Sequence, residues 1–175
     1  MWRSIVVWLL IVVVCFGGWE QAYGADPAQI LELQKSRLCA RCDLENANLP
    51  LLKVAGGNLL AANLRGANLM GADLQEMIMS RADLRNSDLR STNLRGAKLI
   101  FADFRGARLK YTNLSQANLE SANFRSTMLD HTNLEGANLY MANFQSAKLI
   151  GVDLEKAKLC ATTLPDGSIS NRDCS

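Results

Sequence analysis

Residues 117–140 read ANLESANFRSTMLDHTNLEGANLY, and the same five-residue unit continues unbroken from residue 42 to residue 166. The unit consists of a small residue, Asn or Asp, Leu or Phe, and two variable residues. Its apolar position, called the centre here, is Leu in 20 of the 25 units and Val, Met or Phe in the others. The residue two before the centre is small in 22 units; Leu52, Met77 and Val152 are the exceptions. A pattern this regular decides the fold.

A period of five matches neither the helix period of 3.6 nor the strand period of 2. Four units can form one square coil, in which the centre and the small residue point inward. The residue between them then points outward, and the two variable residues form the corner. Gly stands at the second corner position in seven units, where a type II turn requires positive φ. Coils stacked about 4.8 Å apart predict a rod about 30 Å long.

The repeat resembles the pentapeptide-repeat family, whose fold is a right-handed quadrilateral β-helix. The fold class implied is therefore all-β, with about six coils. Two flanking motifs, CARCDLENANL at 39–49 and TLPDGSISNRDC at 163–174, are similar to the ends of exported members from cyanobacteria and chloroplast lumens. The units around Met77 and Leu52 depart from the pattern, and we expect local distortion there.

Residues 1–24 have the features of a secretory signal peptide. Arg3 precedes an apolar run at residues 5–16, and Ala22, Tyr23 and Gly24 form a small-x-small cleavage site. An uncleaved membrane anchor is the alternative. All three tryptophans (Trp2, Trp8 and Trp19) lie in this segment, so cleavage would remove tryptophan fluorescence. The predicted location is the periplasm or the thylakoid lumen, with no stable membrane span after cleavage.

The four cysteines outside the signal segment predict two disulfides. Cys42 begins the first coil and Cys160 lies near the last, about 28 Å away along the stack. A disulfide requires Cα atoms within about 7 Å. We therefore predict the pairs Cys39–Cys42 and Cys160–Cys174, one at each end of the rod.

Both ends of the rod need a cap. At the front, residues 25–41 are predicted to form a helix and linker, with Asp26 as N-cap, Pro27 at the first helical position and Gln29 completing the capping pattern. Four apolar side chains are expected to face the first coil: Ile30, Leu31, Leu33 and Leu38. At the back, residues 167–175 are expected to cover the last coil.

A step of four units moves one coil along the same face, which turns the sequence into columns. Phe104, Phe124 and Phe144 occupy consecutive centres in one column and predict a stacked aromatic core. An outward column of four arginines is a possible anion-binding surface, although Asp83 and Asp103 would partly neutralise it; its members are Arg65, Arg85, Arg105 and Arg125. Another face projects apolar side chains that could form a protein contact: Leu60, Ile78, Ile100, Phe101, Tyr140 and Met141.

The repeat offers little enzyme chemistry. His131, the only histidine, stands at a corner, and the recurring Asn and Asp are too regular to mark a site. We expect no catalytic residue, metal or cofactor. Mimicry of DNA, as in family members that bind topoisomerases, is an alternative; without Arg3 and Glu20 the chain carries 18 basic and 16 acidic residues, whereas mimicry needs an acidic surface. The function predicted is that of a structural or protein-interaction module with an unknown protein partner, no nucleic-acid ligand, and a monomeric or weakly dimeric state.

Overall fold

The structure, a computed structural model, describes residues 25–174. Within these residues, one α-helix, α1 (Pro27–Ser36), precedes four short strands: β1 (Met128–Asp130), β2 (Lys148–Ile150), β3 (Thr162–Thr163) and β4 (Ile169–Ser170). Strands β1 and β2 pair in parallel, and β3 and β4 pair antiparallel. Elsewhere the coils are joined by single-residue parallel bridges, generally one in each five-residue unit, so the architecture is a β-helix rather than a set of long strands.

The bridges join each outward residue to the equivalent residue four units later. Asp43 pairs with Asn63, and this column continues in six such steps to Thr163. At each step the ladder makes two hydrogen bonds: the Leu64 amide donates to the Asp83 carbonyl at 2.8 Å, and the Asp83 amide donates to the Ala62 carbonyl at 3.0 Å. The five-residue pattern therefore closes into a four-sided coil, with one unit on each side.

Inward positions form one continuous core. Every centre from Leu44 to Phe144 is buried, and the three phenylalanines stack in parallel. The ring centroids of Phe104 and Phe124 are 4.6 Å apart, and those of Phe124 and Phe144 are 4.7 Å apart, which confirms the predicted aromatic stack. Buried threonines at the small position bond backward along the rod. The Thr92 hydroxyl, for example, donates to the Leu69 carbonyl at 2.7 Å, so burial leaves this donor satisfied.

The corners share one backbone conformation. The second corner residue has positive φ in 23 consecutive units from Arg41 to Gly151, and in 16 of these it is not glycine. The side chain at this position leans over the corner of the next coil. An added Cβ at Gly66 would lie 2.1 Å from the Asn46 side-chain oxygen, and one at Gly106 would lie 2.3 Å from that of Asn86. The neighbouring Asn side chain therefore favours glycine at these two corners, in addition to the preference of their φ for glycine.

The front cap begins as the sequence indicates. The Asp26 carboxylate accepts a hydrogen bond from the Ala28 amide at 2.9 Å, and Gln29 donates to the same carboxylate at 3.3 Å. Leu33 is fully buried against the first coil and Ile30 is partly buried. The expectation that Leu31 also faces the coil is wrong, because it is exposed on the solvent side of the helix.

The ladder starts one unit earlier than the boundary expected at residue 42. Leu38 bridges to Asn58, and Cys39 occupies a buried centre position one unit before Leu44. Leu38 is consequently the outward residue of this unit, and 58% of its surface is exposed. The prediction that Leu38 covers the first coil is therefore wrong: the linker it was assigned to is itself part of the coil.

The distortion expected at the two irregular units is wrong as well. Lys53 bridges to Asp73 and Ile78 bridges to Lys98, so the ladder runs through both units. The buried Met77 lies in the column of Gly57, which provides space beside it. The ladder is interrupted instead in the last coil, where Asp153 lacks the bridge to Asn133 that its column would supply. Val152, the third oversized residue, precedes this interruption.

The back cap consists of the β3–β4 hairpin and residues 171–174. The Leu159 amide donates to the Asp173 carboxylate at 2.8 Å, and the Ala161 amide donates to the Asn171 side chain at 3.0 Å. Arg172 donates to Glu155 at 2.9 Å and also to the Ala157 carbonyl. Within residues 25–174 no helix is both long and apolar enough to cross a membrane. The predicted signal peptide lies outside the described residues.

Candidate interaction surfaces

The outward Asn and Asp column serves the backbone. In 16 of the 17 units that carry Asn or Asp before the centre, the side-chain oxygen accepts a hydrogen bond from the amide two residues later. The amide of Asn68 also donates to Asn48 in the preceding coil, at 2.8 Å. These bonds orient each corner and link successive coils. The side chains that remain for recognition are those at the corners and those at the eight outward positions without Asn or Asp.

The arginine column (Arg65, Arg85, Arg105 and Arg125) is paired in its middle. Arg85 donates two hydrogen bonds to Asp83, at 2.8 and 2.5 Å, and Arg105 donates to Asp103 at 2.6 Å. The hydrogen bond from Arg85 holds the pKa of Asp83 below its usual value despite partial burial. The predicted partial neutralisation is therefore present in the geometry of these two pairs.

The ends of the arginine column differ from its middle. The residue two before Arg65 is Asn63, and the residue two before Arg125 is Asn123, so neither arginine has a carboxylate in the same unit. Among the described residues neither Arg65 nor Arg125 forms an ion pair. All four arginines line a shallow depression of about 450 Å³ together with Asn86, Gly106 and Ser126. Two free guanidinium groups thus flank two neutralised ones.

The adjoining corner, called the apolar corner here, is formed by Leu60, Ile100, Phe101, Tyr140 and Met141. The Phe101 side chain is 56% exposed, Met141 is 53% exposed, and Leu60, Ile100 and Tyr140 are each at least partly exposed. Ile78, which the sequence also placed on this face, is partly buried beside the coil. Arg81 lies over the Phe101 ring with its guanidinium carbon 5.9 Å from the ring centre. This corner presents apolar area to solvent.

A third corner contains a polar cluster that sequence reasoning did not assemble. Lys110 and Asp130 lie one coil apart and form an ion pair at 2.9 Å, and the Nδ1 atom of His131 lies 2.7 Å from the other Asp130 oxygen. Lys110, then His131, lowers the pKa of Asp130. The sequence signal for this cluster was the spacing of four units between Lys110 and Asp130, which places the two residues at the same corner of neighbouring coils. The cluster is an open, exposed surface, and no group of three or more possible metal ligands occurs in residues 25–174.

Both predicted cysteine pairs have disulfide geometry. The Cα atoms of Cys39 and Cys42 are 5.4 Å apart, and those of Cys160 and Cys174 are 4.8 Å apart, with the sulfur atoms joined in each pair. The first pair closes the corner of the first unit of the ladder. The second fastens the end of the described chain to the last coil.

Comparisons with known proteins agree with this architecture. The family model described as Pentapeptide repeats matches in 8 copies over residues 53–86, 67–100, 87–125, 102–140 and 127–166. The pentapeptide repeat protein Rfr23 from the cyanobacterium Cyanothece 51142 is similar in structure, with 32% identity, a TM-score of 0.56, and coverage of 72% of this chain and 92% of its own. No curated protein sequence matches the chain.

Two further solved structures share the repeat. A pentapeptide repeat protein from the Arabidopsis thaliana thylakoid lumen is 25% identical, with a TM-score of 0.49 and coverage of 68% of this chain and 69% of its own. HetL from Nostoc sp. strain PCC 7120, a protein involved in heterocyst differentiation regulation, is 33% identical, with a TM-score of 0.47 and coverage of 76% and 66%. The family model spans well over half of the chain, so the solenoid is a right-handed β-helix and the chain belongs to the pentapeptide-repeat family.

Proposed function

We propose that this chain is an exported, non-enzymatic pentapeptide-repeat module that presents the outward side chains of a rigid β-helix to a protein partner. The proposal rests on the observation that each position of the five-residue unit has a separate structural role. Centres and small residues fill the core, and the Asn and Asp side chains hold the corners. Chemical variety is greatest at the two corner residues, which lie at the surface, and at the eight outward positions that carry neither Asn nor Asp. A scaffold of this kind offers outward-facing surfaces for binding.

The exported location is supported by the signal-like residues 1–24 and by the two cysteine pairs, which favour an oxidising compartment. The periplasm and the thylakoid lumen both meet this condition. Mass spectrometry of the protein from its native host is expected to show a chain beginning at Ala25. The emission spectrum of the same protein is expected to lack tryptophan fluorescence. A chain that retains Trp2, Trp8 and Trp19 in the membrane fraction would contradict cleavage and favour the anchored form.

The partner surface can be located by photo-crosslinking from one exposed residue on each corner. Suitable positions are Tyr140 on the apolar corner, Arg125 on the arginine column, Met70 on the corner that also carries Lys110, and Arg95 on the remaining corner. A photoreactive residue at each site, introduced in the native host, is expected to capture the same protein from one corner or from two adjacent ones. Equal labelling from all four corners, or labelling from none, would contradict a specific interaction module.

A second candidate function is the binding of anions or an anionic membrane surface through the arginine column. The free guanidinium groups of Arg65 and Arg125 favour it. The double variant Arg65→Gln/Arg125→Gln is expected to lose salt-sensitive binding to vesicles containing phosphatidylglycerol. The matched control, Arg85→Gln/Arg105→Gln, removes arginines that are already paired and is expected to retain that binding. Equal loss in both variants, or no binding by the unaltered protein, would reject this candidate.

DNA mimicry remains the less favoured alternative. The exposed columns carry arginines at several corners, whereas a duplex mimic presents a consistently negative surface. Inhibition of DNA supercoiling by gyrase at submicromolar concentrations of this protein would reverse that ranking.

A further inference from the structure

The apolar corner alternates in character from coil to coil. Apolar residues occupy the corner at Leu60, at Ile100 and Phe101, and at Tyr140 and Met141, which are separated by steps of two coils. Polar corners lie between them, namely Ser80 with Arg81 and Glu120 with Ser121. The apolar corner therefore spans four coil steps, or about 19 Å along the rod. Its order is apolar, basic, apolar, acidic, apolar.

A second copy of the corner that runs in the opposite direction presents a matching order of layers. Suppose a second copy lies antiparallel along the same corner, related by a two-fold axis at the coil of Phe101. The coil of Leu60 then meets the coil of Tyr140, and Phe101 meets its counterpart. The coil that carries Arg81 meets the coil that carries Glu120, and this happens twice because the contact is symmetric. Every apolar layer faces an apolar layer, and every charged layer faces the opposite charge.

The two charged residues are available for such a contact. Arg81 is exposed, Glu120 is partly exposed, and neither forms an ion pair within residues 25–174. The guanidinium of Arg81 lies over the Phe101 ring, at the edge of the central apolar layer. A parallel arrangement would place two copies of Arg81 in one layer and two copies of Glu120 in another. Charge therefore selects the antiparallel orientation.

The other corners do not combine these properties. The same operation on the arginine column brings arginine against arginine. On the corner of Arg90, an axis at the coil of Lys110 opposes Arg90 to Asp130, but it sets Lys110 against its own copy. Both opposed residues are also already in ion pairs, Arg90 with Asp88 and Asp130 with Lys110. On the corner of Arg95, an axis at the coil of Ser115 opposes Arg95 to Glu135, but none of these layers carries a large apolar side chain. Within residues 25–174, the apolar corner alone joins exposed apolar layers to charged layers whose residues form no ion pair in the chain.

We propose that the apolar corner is a two-fold, antiparallel contact between two copies of this chain, in which Arg81 of each copy pairs with Glu120 of the other. The proposal goes beyond the interaction module described above, because it holds whether or not a separate partner exists. Five apolar side chains on a narrow edge make a small interface, so we expect a weak dimer with a dissociation constant on the order of tens of micromolar.

Charge reversal tests the pairing directly. By sedimentation velocity in low salt, the exported protein is expected to shift from monomer to dimer between about 5 and 500 µM. Arg81→Glu alone, or Glu120→Arg alone, places like charges in both layers and is expected to weaken dimerisation at least about ten-fold. The combined variant Arg81→Glu/Glu120→Arg restores opposite charges and is expected to return to within about three-fold of the unaltered protein.

A matched pair of variants tests the apolar layer. Phe101→Glu brings two carboxylates together at the two-fold axis and is expected to abolish the dimer. Tyr111→Glu is the control, because Tyr111 occupies the same corner position with φ 57° against 59° and is 57% exposed against 56%, on a different corner. It is expected to leave dimerisation unchanged. Equal weakening by both variants would overturn the proposal, as would a protein that stays monomeric throughout or a combined charge swap no better than the single reversals.

Crosslinking tests the orientation. Chains carrying Leu60→Cys and chains carrying Tyr140→Cys are mixed and treated with a short bismaleimide. An antiparallel contact joins a Leu60→Cys chain to a Tyr140→Cys chain, so mixed dimers are expected to predominate. Dimers formed mainly between two Leu60→Cys chains would overturn the antiparallel arrangement.

Discussion

The two ends of the solenoid are closed by different forces. At the front, helix α1 leads directly into the ladder at Leu38, Leu33 is fully buried, and the disulfide spans only three residues. At the back, the ladder is interrupted at Asp153, and three of the four centres after Phe144 are only partly buried: Leu149, Leu154 and Leu164. Each end has a disulfide, but the front is also sealed by apolar burial, whereas the back depends on a set of polar contacts. The same repeat therefore ends in two caps of unequal robustness.

The largest expected effect lies at the front. Leu33→Ala removes a fully buried side chain from the interface between helix and coil, and is expected to lower the free energy of unfolding by about 3 to 4 kcal/mol. Leu31→Ala, on the exposed side of the same helix, is the control and should change it by less than about 1 kcal/mol. Guanidinium unfolding curves provide the measurement. Equal losses in the two variants would show that the front is not sealed by burial.

Removing each disulfide in turn compares how much the two covalent links contribute to the free energy of unfolding. The loop closed by Cys160 and Cys174 spans 14 residues, so Cys160→Ala/Cys174→Ala is expected to cost about 3 kcal/mol. Cys39→Ala/Cys42→Ala opens a loop of three residues and is expected to cost about 2 kcal/mol. A non-reducing peptide map of the unaltered protein checks the pairing first. A peptide that joins Cys39 or Cys42 to Cys160 would refute both the pairing and the order of the coils.

Backbone conformation offers a smaller contrast between the ends. Gly167 in the back turn has φ 87°, and its added Cβ would meet only the Gln145 side chain at 3.9 Å, so Gly167→Ala carries a conformational cost of about 1 kcal/mol. Arg37, which ends helix α1 at the front, has φ 61°. Arg37→Gly relieves that conformation and is expected to raise the free energy of unfolding by about 0.5 kcal/mol. Opposite signs for the two changes, measured by thermal unfolding, are the expected result.

The smallest expected effect is a selective loosening of the back cap in acid. Arg172, followed by the Leu159 amide, lowers the pKa of Asp173. A carboxylate with a lowered folded-state pKa contributes stability above its unfolded pKa, near 4, and loses that contribution as the pH falls further through the folded value. Hydrogen-exchange protection of the Leu159 amide should therefore fall below about pH 4.

This acid effect has two controls, an amide at the front of the rod and a variant at the back. The Arg37 amide, which donates to Leu33 at 3.0 Å, should keep its protection over the same pH range. Asp173→Asn should remove the pH dependence at Leu159. Parallel loss of protection at both ends would indicate general acid unfolding instead of release of the back cap.

The core and the ladder could be predicted from sequence because every centre obeys one spacing. A period of five with apolar centres admits a four-sided coil, and counting in steps of four units located the phenylalanine stack and the Asp83 and Asp103 pairs. The front boundary was missed because the unit containing Leu38 has neither a small residue nor Asn in the expected places. The spacing of one unit between Cys39 and Leu44 was the signal that remained.

Side-chain volume explains the other errors. Leu52 and Met77 break the pattern of small residues in the sequence, yet both are buried in an unbroken ladder. Whether an oversized residue fits depends on its neighbours one coil away, such as Gly57 beside Met77, and no pattern along a single unit shows that. The lack of an ion pair at Arg65 and Arg125, by contrast, could be predicted from the sequence, because the residue two before each is Asn and not Asp.

The four-unit coil has a consequence for how such a chain can change in length. Insertion or deletion of one unit preserves the inward pattern, so the rod still folds, but every later residue is carried a quarter-turn around the axis. Removing one unit between Arg81 and Phe101 would turn the later part of the apolar corner to another side of the rod. Only changes by whole coils leave the surfaces aligned. Relatives that differ by one, two or three units would therefore share the architecture while displaying their side chains in different directions.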